Sequence, residues 1–253
     1  MRWGNEPEPS KFGNRMIPAV KQFVVFLVGW IGFQIIAAII QIVVAVIGQI
    51  QGYNINEFLT LPSSEIIVNS AAYLILLVTL VSVINFDIPK LLTSFKKWQS
   101  FIAGLICFGA IIAFDMLWGM VLDLLPLETG NNANEAGLTS IITVYPIMSL
   151  IIFGVVGPVC EELTYRVGLF SFFQRKNKIL AYIVTIIIFA FIHFDLTATK
   201  ATIVNELLNL PFYMFAAFAF SYTYEKYGLA GSLTAHVINN LFSVSATIIS
   251  QFI

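Results

Sequence analysis

The stretch LIIFGVVGPVCEELTYRVGLF, residues 150–170, sets two adjacent glutamates and an arginine inside an otherwise apolar run. Ionisable groups in a bilayer cost several kcal/mol each on insertion scales, so every one of them asks for a partner or a task. Glu162 and Arg166 are four residues apart and point from one helical face, where they can pair. A buried ion pair steadying a kinked helix would account for those two alone. Glu161 is left over, with no second basic partner on its own helix.

The rest of the chain supports a lipid setting for this stretch. Of 253 residues, 58% are hydrophobic and 11% charged, whereas soluble domains average about half and a quarter. A net charge of -1, a pI near 6.1 and the lack of any long Lys/Arg run set nucleic-acid binding aside. Cys107 and Cys160 sit within apolar stretches and do not form the loop-borne set of a secreted disulfide scaffold. The first apolar run, roughly 28 residues, is too long for a signal-peptide core of about 7 to 15 and reads as a retained span.

A helix needs roughly 20 apolar residues to cross about 30 Å of hydrocarbon. Stretches near 20–48, 65–86, 101–124, 179–195, 206–224 and 229–252 meet this. The region 138–173 would be roughly 54 Å long as one helix at about 1.5 Å per residue. Gly154, Gly157 and Pro158 place a kink or break inside it. The expectation is an all-α polytopic transmembrane bundle of seven to eight spans. A polar cytoplasmic segment, 1–18, precedes N-terminal transmembrane helices, 19–137, and a core, 138–250, in one continuous membrane domain. Basic residues set the orientation: Arg2, Lys11, Arg15 and Lys21 precede the first span, Lys90, Lys96 and Lys97 follow the second, Arg175, Lys176 and Lys178 follow the broken region, and Lys226 precedes the last. The intervening loops carry only Lys200. This distribution predicts a multi-pass cell-membrane protein with a cytoplasmic N-terminus.

The chain has only two histidines, and both fall in predicted spans. Glu161 is 14 residues before Arg175, His193 is 15 after Lys178, and Asn240 is 14 after Lys226. All three therefore lie roughly 20 Å from the basic ends of their helices and can share one layer. His236 and Asn240 share a helical face, as do Phe189 and His193. Peptide hydrolysis needs a base to activate water and donors to hold the developing oxyanion. Glu161 is the candidate base and Glu162 an orienting strut or metal ligand, with the reverse assignment of the two glutamates open. His193 and His236 either bind a divalent metal such as zinc together with one carboxylate, Glu162, or act directly on the water and the carbonyl oxygen. Asn240 would donate to the oxyanion. The chain has no HExxH helix, the best-known zinc-peptidase signature.

Bland readings stand beside these. A single intramembrane histidine often only bridges helices, and Asn239 and Asn240 can glue them. Cys160 points about 100° around the helix from Glu161 and reads as a small buried residue rather than a thiol nucleophile. Asp115 is a further buried acid, lining a cavity or pairing with a donor on another span. The Phe-rich stretch 212–220 reads as lipid-facing and packing residues.

Assembled in order, EExxxR (Glu161, Glu162, Arg166), FxxxH (Phe189, His193) and HxxxN (His236, Asn240) resemble the three-motif pattern of the CAAX-protease and bacteriocin-processing family, which includes the type II CAAX prenyl endopeptidases. The resemblance covers roughly 138–250. It implies an intramembrane endopeptidase in which the first glutamate activates water and the two histidines and the asparagine complete the site. It also implies a peptide or membrane-anchored protein as substrate, and a role in bacteriocin or peptide processing, self-immunity or regulation. A non-catalytic immunity factor or a modulator of a sensor kinase on the same fold is the alternative. A proton-relay transporter is a third reading, which inverted-repeat similarity would favour and which the chain does not show.

Overall fold

The computed structural model describes residues 17–125, 130, 132–199 and 202–252. Most of the polar segment 1–18, with Arg2, Lys11 and Arg15, and also Lys200, lie outside the described residues. Eight principal helices follow in order: α1 Ala19–Ile50, α2 Pro62–Ile84, α3 Trp98–Asp123, α4 Ala133–Val144, α5 Pro146–Gln174, α6 Lys178–Phe191, α7 Ile203–Tyr227 and α8 Leu229–Ile249. Six of them (α1, α2, α3, α5, α7 and α8) are long and apolar enough to cross a membrane. α6 is shorter, at 14 residues, or about 21 Å. Among the described residues there is no strand, so the protein is an all-α, multi-pass membrane protein.

Local chemistry starts and stops these helices. Asn132 caps α4 by accepting from Glu135 N at 2.9 Å, and Asn177 caps α6 by accepting from Leu180 N at 3.0 Å. Pro62 and Pro146 occupy the first turns of α2 and α5, where a missing N–H costs nothing. Gly228 has φ 77°, a left-handed conformation that ends α7 and lets α8 begin at the next residue.

The break expected at Gly154, Gly157 and Pro158 is instead at Tyr145–Pro146, where α4 gives way to α5. A residue before proline is pushed out of the helical region, and Tyr145 has φ -124°, ψ 59°. Helix α5 runs on through Pro158 because its turns widen to the π form at Ile152–Val156 and Glu162–Phe170. The first widened turn ends just before Pro158, so the proline ring meets a backbone already opened. The span expected at 179–195 also ends early, at Phe191, and His193 sits on the turn beyond it.

Helix α5 is the axis of the bundle. In its most apolar window 61% of the residues are buried, against 11% for α3, which identifies α5 as the helix the others surround. α1 lies against α5 and α2, α8 against α3, α7 and α5, and α6 against α7 and α5. The α1–α5 approach is close enough that a Cβ on Gly168 would stand 2.8 Å from Phe26 N. Outward positions such as Ile42, Val78 and Ile106 are exposed apolar side chains, suited to lipid.

The basic positions gather at one end of the bundle. Arg175 donates to Gln22 Oε1 at 2.7 Å and to the Ile17 carbonyl. Lys21 reaches Asp87 at 2.8 Å, Lys90 reaches the same carboxylate at 3.1 Å, and Lys178 reaches Glu225 at 2.7 Å. At the opposite end Asn205, Glu206 and Asn209 of α7 hold Gly130, Ala133 and Asp195.

Candidate active site

Glu161 and Glu162 enter the bundle where α5 passes from ordinary to widened turns. Their surroundings differ. The Glu162 side chain is 0% exposed and that of Glu161 is 17% exposed, on the wall of a cavity of about 750 Å³. His236, on α8, inserts its ring between the two carboxylates. Its Nδ1 is 2.9 Å from Glu162 Oε1 and its Nε2 is 3.6 Å from Glu161 Oε2. An ionised carboxylate only accepts, so Nδ1 is the donor in the shorter contact and Nε2 is turned toward Glu161.

Arg166 completes a chain behind His236. Its Nε is 3.5 Å from Glu162 Oε1, an ion pair by distance rather than a well-directed hydrogen bond. The guanidinium carbon lies 4.5 Å from the Phe189 ring centroid and 5.2 Å from that of Phe220. Two aromatic faces and one carboxylate therefore hold a fully buried cation. Phe220 also stacks on His236, with centroids 4.4 Å apart and planes at 21°. Arg166 and Glu162 neutralise each other, which leaves the Glu161 carboxylate facing the cavity beside His236, with Asp115 and Glu135 elsewhere on the wall.

His193 lines the same cavity from the turn after α6. Its Nδ1 is 3.0 Å from the Phe189 carbonyl, which can only accept, so Nδ1 carries the proton and Nε2 keeps a lone pair for the cavity. Asn240 lines it too, and donates from Nδ2 to the Phe153 carbonyl at 3.0 Å, leaving the second N–H of that amide free of this bond. The structure thus brings Glu161, His193, His236 and Asn240 to one cavity, with Glu162 and Arg166 packed behind His236. The volume is in the ordinary range for a ligand-binding cleft, about 300 to 1,000 Å³.

Of the set Glu162, His193 and His236, Glu162 is spent on His236 Nδ1 and Arg166, while each histidine is engaged only through Nδ1, which leaves Nε2 as the atom that would meet a metal. Among the described residues no three His, Cys, Asp or Glu side chains are grouped to hold a metal ion.

The stretch 212–220 holds both kinds of residue expected of it, exposed ones such as Phe218 and packed ones, and the packed ones reach the site: Phe220 is 1% exposed and stacks on His236, while Tyr213 stacks on His193 at 4.3 Å and 21°. The signal was present as spacing: Tyr213 and Phe220 are seven apart, on one face of α7. Asp115 and Asn239 both line the cavity, so Asn239 does more than join helices. Cys160 is buried and directs its thiol to the Tyr73 carbonyl at 3.6 Å. Tyr73 of α2, within electrostatic reach of Glu161, has no sequence signal pointing to it.

Fold and site together define a class: a multi-pass membrane protein with a carboxylate–histidine cluster facing a cavity inside its helical bundle. Within that class, residues 143–242 match the family described as Type II CAAX prenyl endopeptidase Rce1-like, a match consistent with the CAAX-protease and bacteriocin-processing family. The matched segment runs from the end of α4 into α8 and contains Glu161, Glu162, Arg166, His193, His236 and Asn240. The chain is also 26% identical over 201 residues to an uncharacterized protein of Mycoplasma capricolum subsp. capricolum. That match covers 75% of this chain and 57% of the relative, so the chain spans little more than half the relative's length. No solved structure matches the chain.

Proposed function

We propose that this protein is an intramembrane endopeptidase of the CAAX-protease type, with Glu161 as the base that activates water. The observation that carries the reading is the position of Glu161, a carboxylate facing a cavity inside the bundle and flanked by two histidines whose Nδ1 atoms are already engaged. The Glu161 carboxylate takes a proton from water, and the hydroxide oxygen adds to the carbonyl carbon of the scissile peptide bond. The Nε2 lone pair of His193 accepts the water's other hydrogen and aims the nucleophile. The free N–H of Asn240 donates to the oxyanion that forms. As the C–N bond breaks, the proton held on Glu161 passes to the leaving amine, so the products are a carboxylic acid and an amine, which then exchange a proton to become carboxylate and ammonium. His236, fixed by Glu162 and Arg166, turns its Nε2 lone pair toward Glu161, placed to accept from that carboxyl once it has taken the proton from water.

The substrate is a membrane-associated protein or peptide whose scissile bond reaches the cavity, and peptide or bacteriocin processing, self-immunity and regulation are the roles that suit it. The N-terminus is cytoplasmic in this reading, since the basic end of the bundle is the end it enters. Comparison of peptide N-termini from host cells carrying wild type, Glu161→Ala or no protein, at equal membrane abundance, tests the assignment. Products unique to wild type are expected. Identical products from wild type and Glu161→Ala, with a defect on deletion alone, would instead support a non-catalytic regulator, such as a sensor-kinase modulator. Because each step above uses only side chains and water, cleavage is expected to survive exhaustive chelation, with elemental analysis of the active protein as the check.

A further inference from the structure

His193 occupies an unusual place for a residue that aims a nucleophile. Helix α6 ends at Phe191, and His193 lies on a tighter turn beyond it, its N–H donating to the Ala190 carbonyl at 3.2 Å. Within α6 the Phe189 carbonyl holds Nδ1 at 3.0 Å, and two contacts from outside α6 reach the residue as well, one on the ring and one on the backbone. Tyr213 of α7 stacks on the imidazole, with centroids 4.3 Å apart and planes at 21°. The Tyr213 hydroxyl donates to Glu135 Oε1 at 3.2 Å and accepts from Asn132 Nδ2 at 3.4 Å. The same Asn132 Nδ2 donates to the His193 carbonyl at 3.3 Å.

Asn132 and Glu135 are the N-cap and third residue of α4, and a buried carboxylate locks that helix start in place. Glu206 of α7 is 2% exposed and uses both oxygens: Oε1 accepts from Ala133 N at 2.8 Å and Oε2 from Asp195 N at 2.9 Å. Ala133 begins α4, and Asp195 is two residues past His193. One side chain therefore ties the start of α4 and the His193 turn to the same helix.

We propose that Tyr213, held by Asn132 and Glu135, is the positioning residue for His193, so that the N-terminal turn of α4 acts as a strap on the active site; this rests on the peptidase reading above. The same Asn132 that holds the Tyr213 hydroxyl also holds the His193 carbonyl, so ring and backbone of His193 are tied to one helix start. The strap fixes the plane of the imidazole through the ring and its depth through the carbonyl, and Nε2 is thereby directed into the cavity.

The test uses the full chain in lipid nanodiscs and follows carbethoxylation of each histidine by diethyl pyrocarbonate with peptide mass spectrometry. The chain has only two histidines, so His236 is an internal reference. In Tyr213→Leu the His193 rate is expected to rise roughly two- to tenfold, the worth of one aromatic stacking contact, with His236 unchanged. Tyr213→Phe, which keeps the ring, and Asn132→Ala are expected to give smaller rises at His193 alone. In turnover, Tyr213→Leu lowers kcat with KM unchanged, and Tyr213→Phe restores part of it. An unchanged His193 rate in Tyr213→Leu, or a parallel rise at both histidines from general loosening, overturns the proposal. If wild type cleaves nothing, the peptidase reading falls while the histidine rates still decide whether Tyr213 positions His193.

Discussion

Glu161 and Glu162 are the same chemistry at consecutive positions, and their neighbours set their tasks apart. Glu162 is sealed between Arg166 and His236, whereas Glu161 keeps part of its carboxylate open to the cavity. Substitutions should therefore separate them. Glu161→Gln leaves the Arg166 pair intact and is expected to keep the thermal stability of wild type while cleavage falls by at least about a hundredfold, the usual worth of a general base. Glu162→Gln strands a buried guanidinium and is expected to cost about 3 to 5 kcal/mol of stability, as removal of one partner of a buried pair does. Thermal unfolding of the two variants in detergent, set beside their turnover, checks this; equal stability would refute the division. The six polar residues were legible in the sequence because charge in hydrocarbon is conspicuous. Tyr73, Tyr213 and Phe220 were not, since an aromatic residue in an apolar helix looks alike whether it faces lipid, core or imidazole.

Helix α5 shows where element-level reading holds and where it stops. Its apolar length marked it as a membrane element, and its Gly and Pro content marked it as irregular, but the irregularity is spread over widened turns while the break falls at Tyr145–Pro146. Hydrogen-bond register inside a helix depends on what packs outside it, and α1 packs here through Gly168. With a Cβ at that position 2.8 Å from Phe26 N, no flexible side-chain end is available to yield. Gly168→Leu is expected to destabilise the fold by about 1 to 3 kcal/mol, the range for overpacking a close contact, with loss of activity following loss of fold. A melting curve on the purified variant measures it; wild-type stability would mean that the α1–α5 approach is slack.

At the scale of the molecule, the bundle has a basic end, tied together by side-chain contacts, and a cavity deeper in. Asp87 is the hub of that end: the hydrogen bond from Lys21 holds its carboxyl below the usual carboxylate range against the opposing effect of burial, with Lys90 adding to the lowering. A carboxyl lowered on folding stabilises the fold fully above its unfolded value, about 3.9, and that contribution drains away as pH falls toward the lower folded value. Melting temperature is therefore expected to decline on the acid side of about pH 4, and Asp87→Asn should flatten that decline while lowering stability at neutral pH. A variant whose acid limb matches wild type would remove Asp87 from the account.

Hydropathy, charge placement and three short motifs in the sequence by themselves determined the solvent of the fold, the approximate spans, the basic ends of the helices and six residues of the candidate site. These are properties of single segments, and the energetic penalty for polar groups in lipid writes them plainly along the chain. Which glutamate faces the cavity, where the turns of α5 widen, which aromatic rings hold Arg166 and His236, and how the start of α4 reaches His193 were decided only in the tertiary structure. Each depends on contacts between helices distant in sequence, where shape and hydrogen-bond direction act between segments and leave no periodic trace in either one.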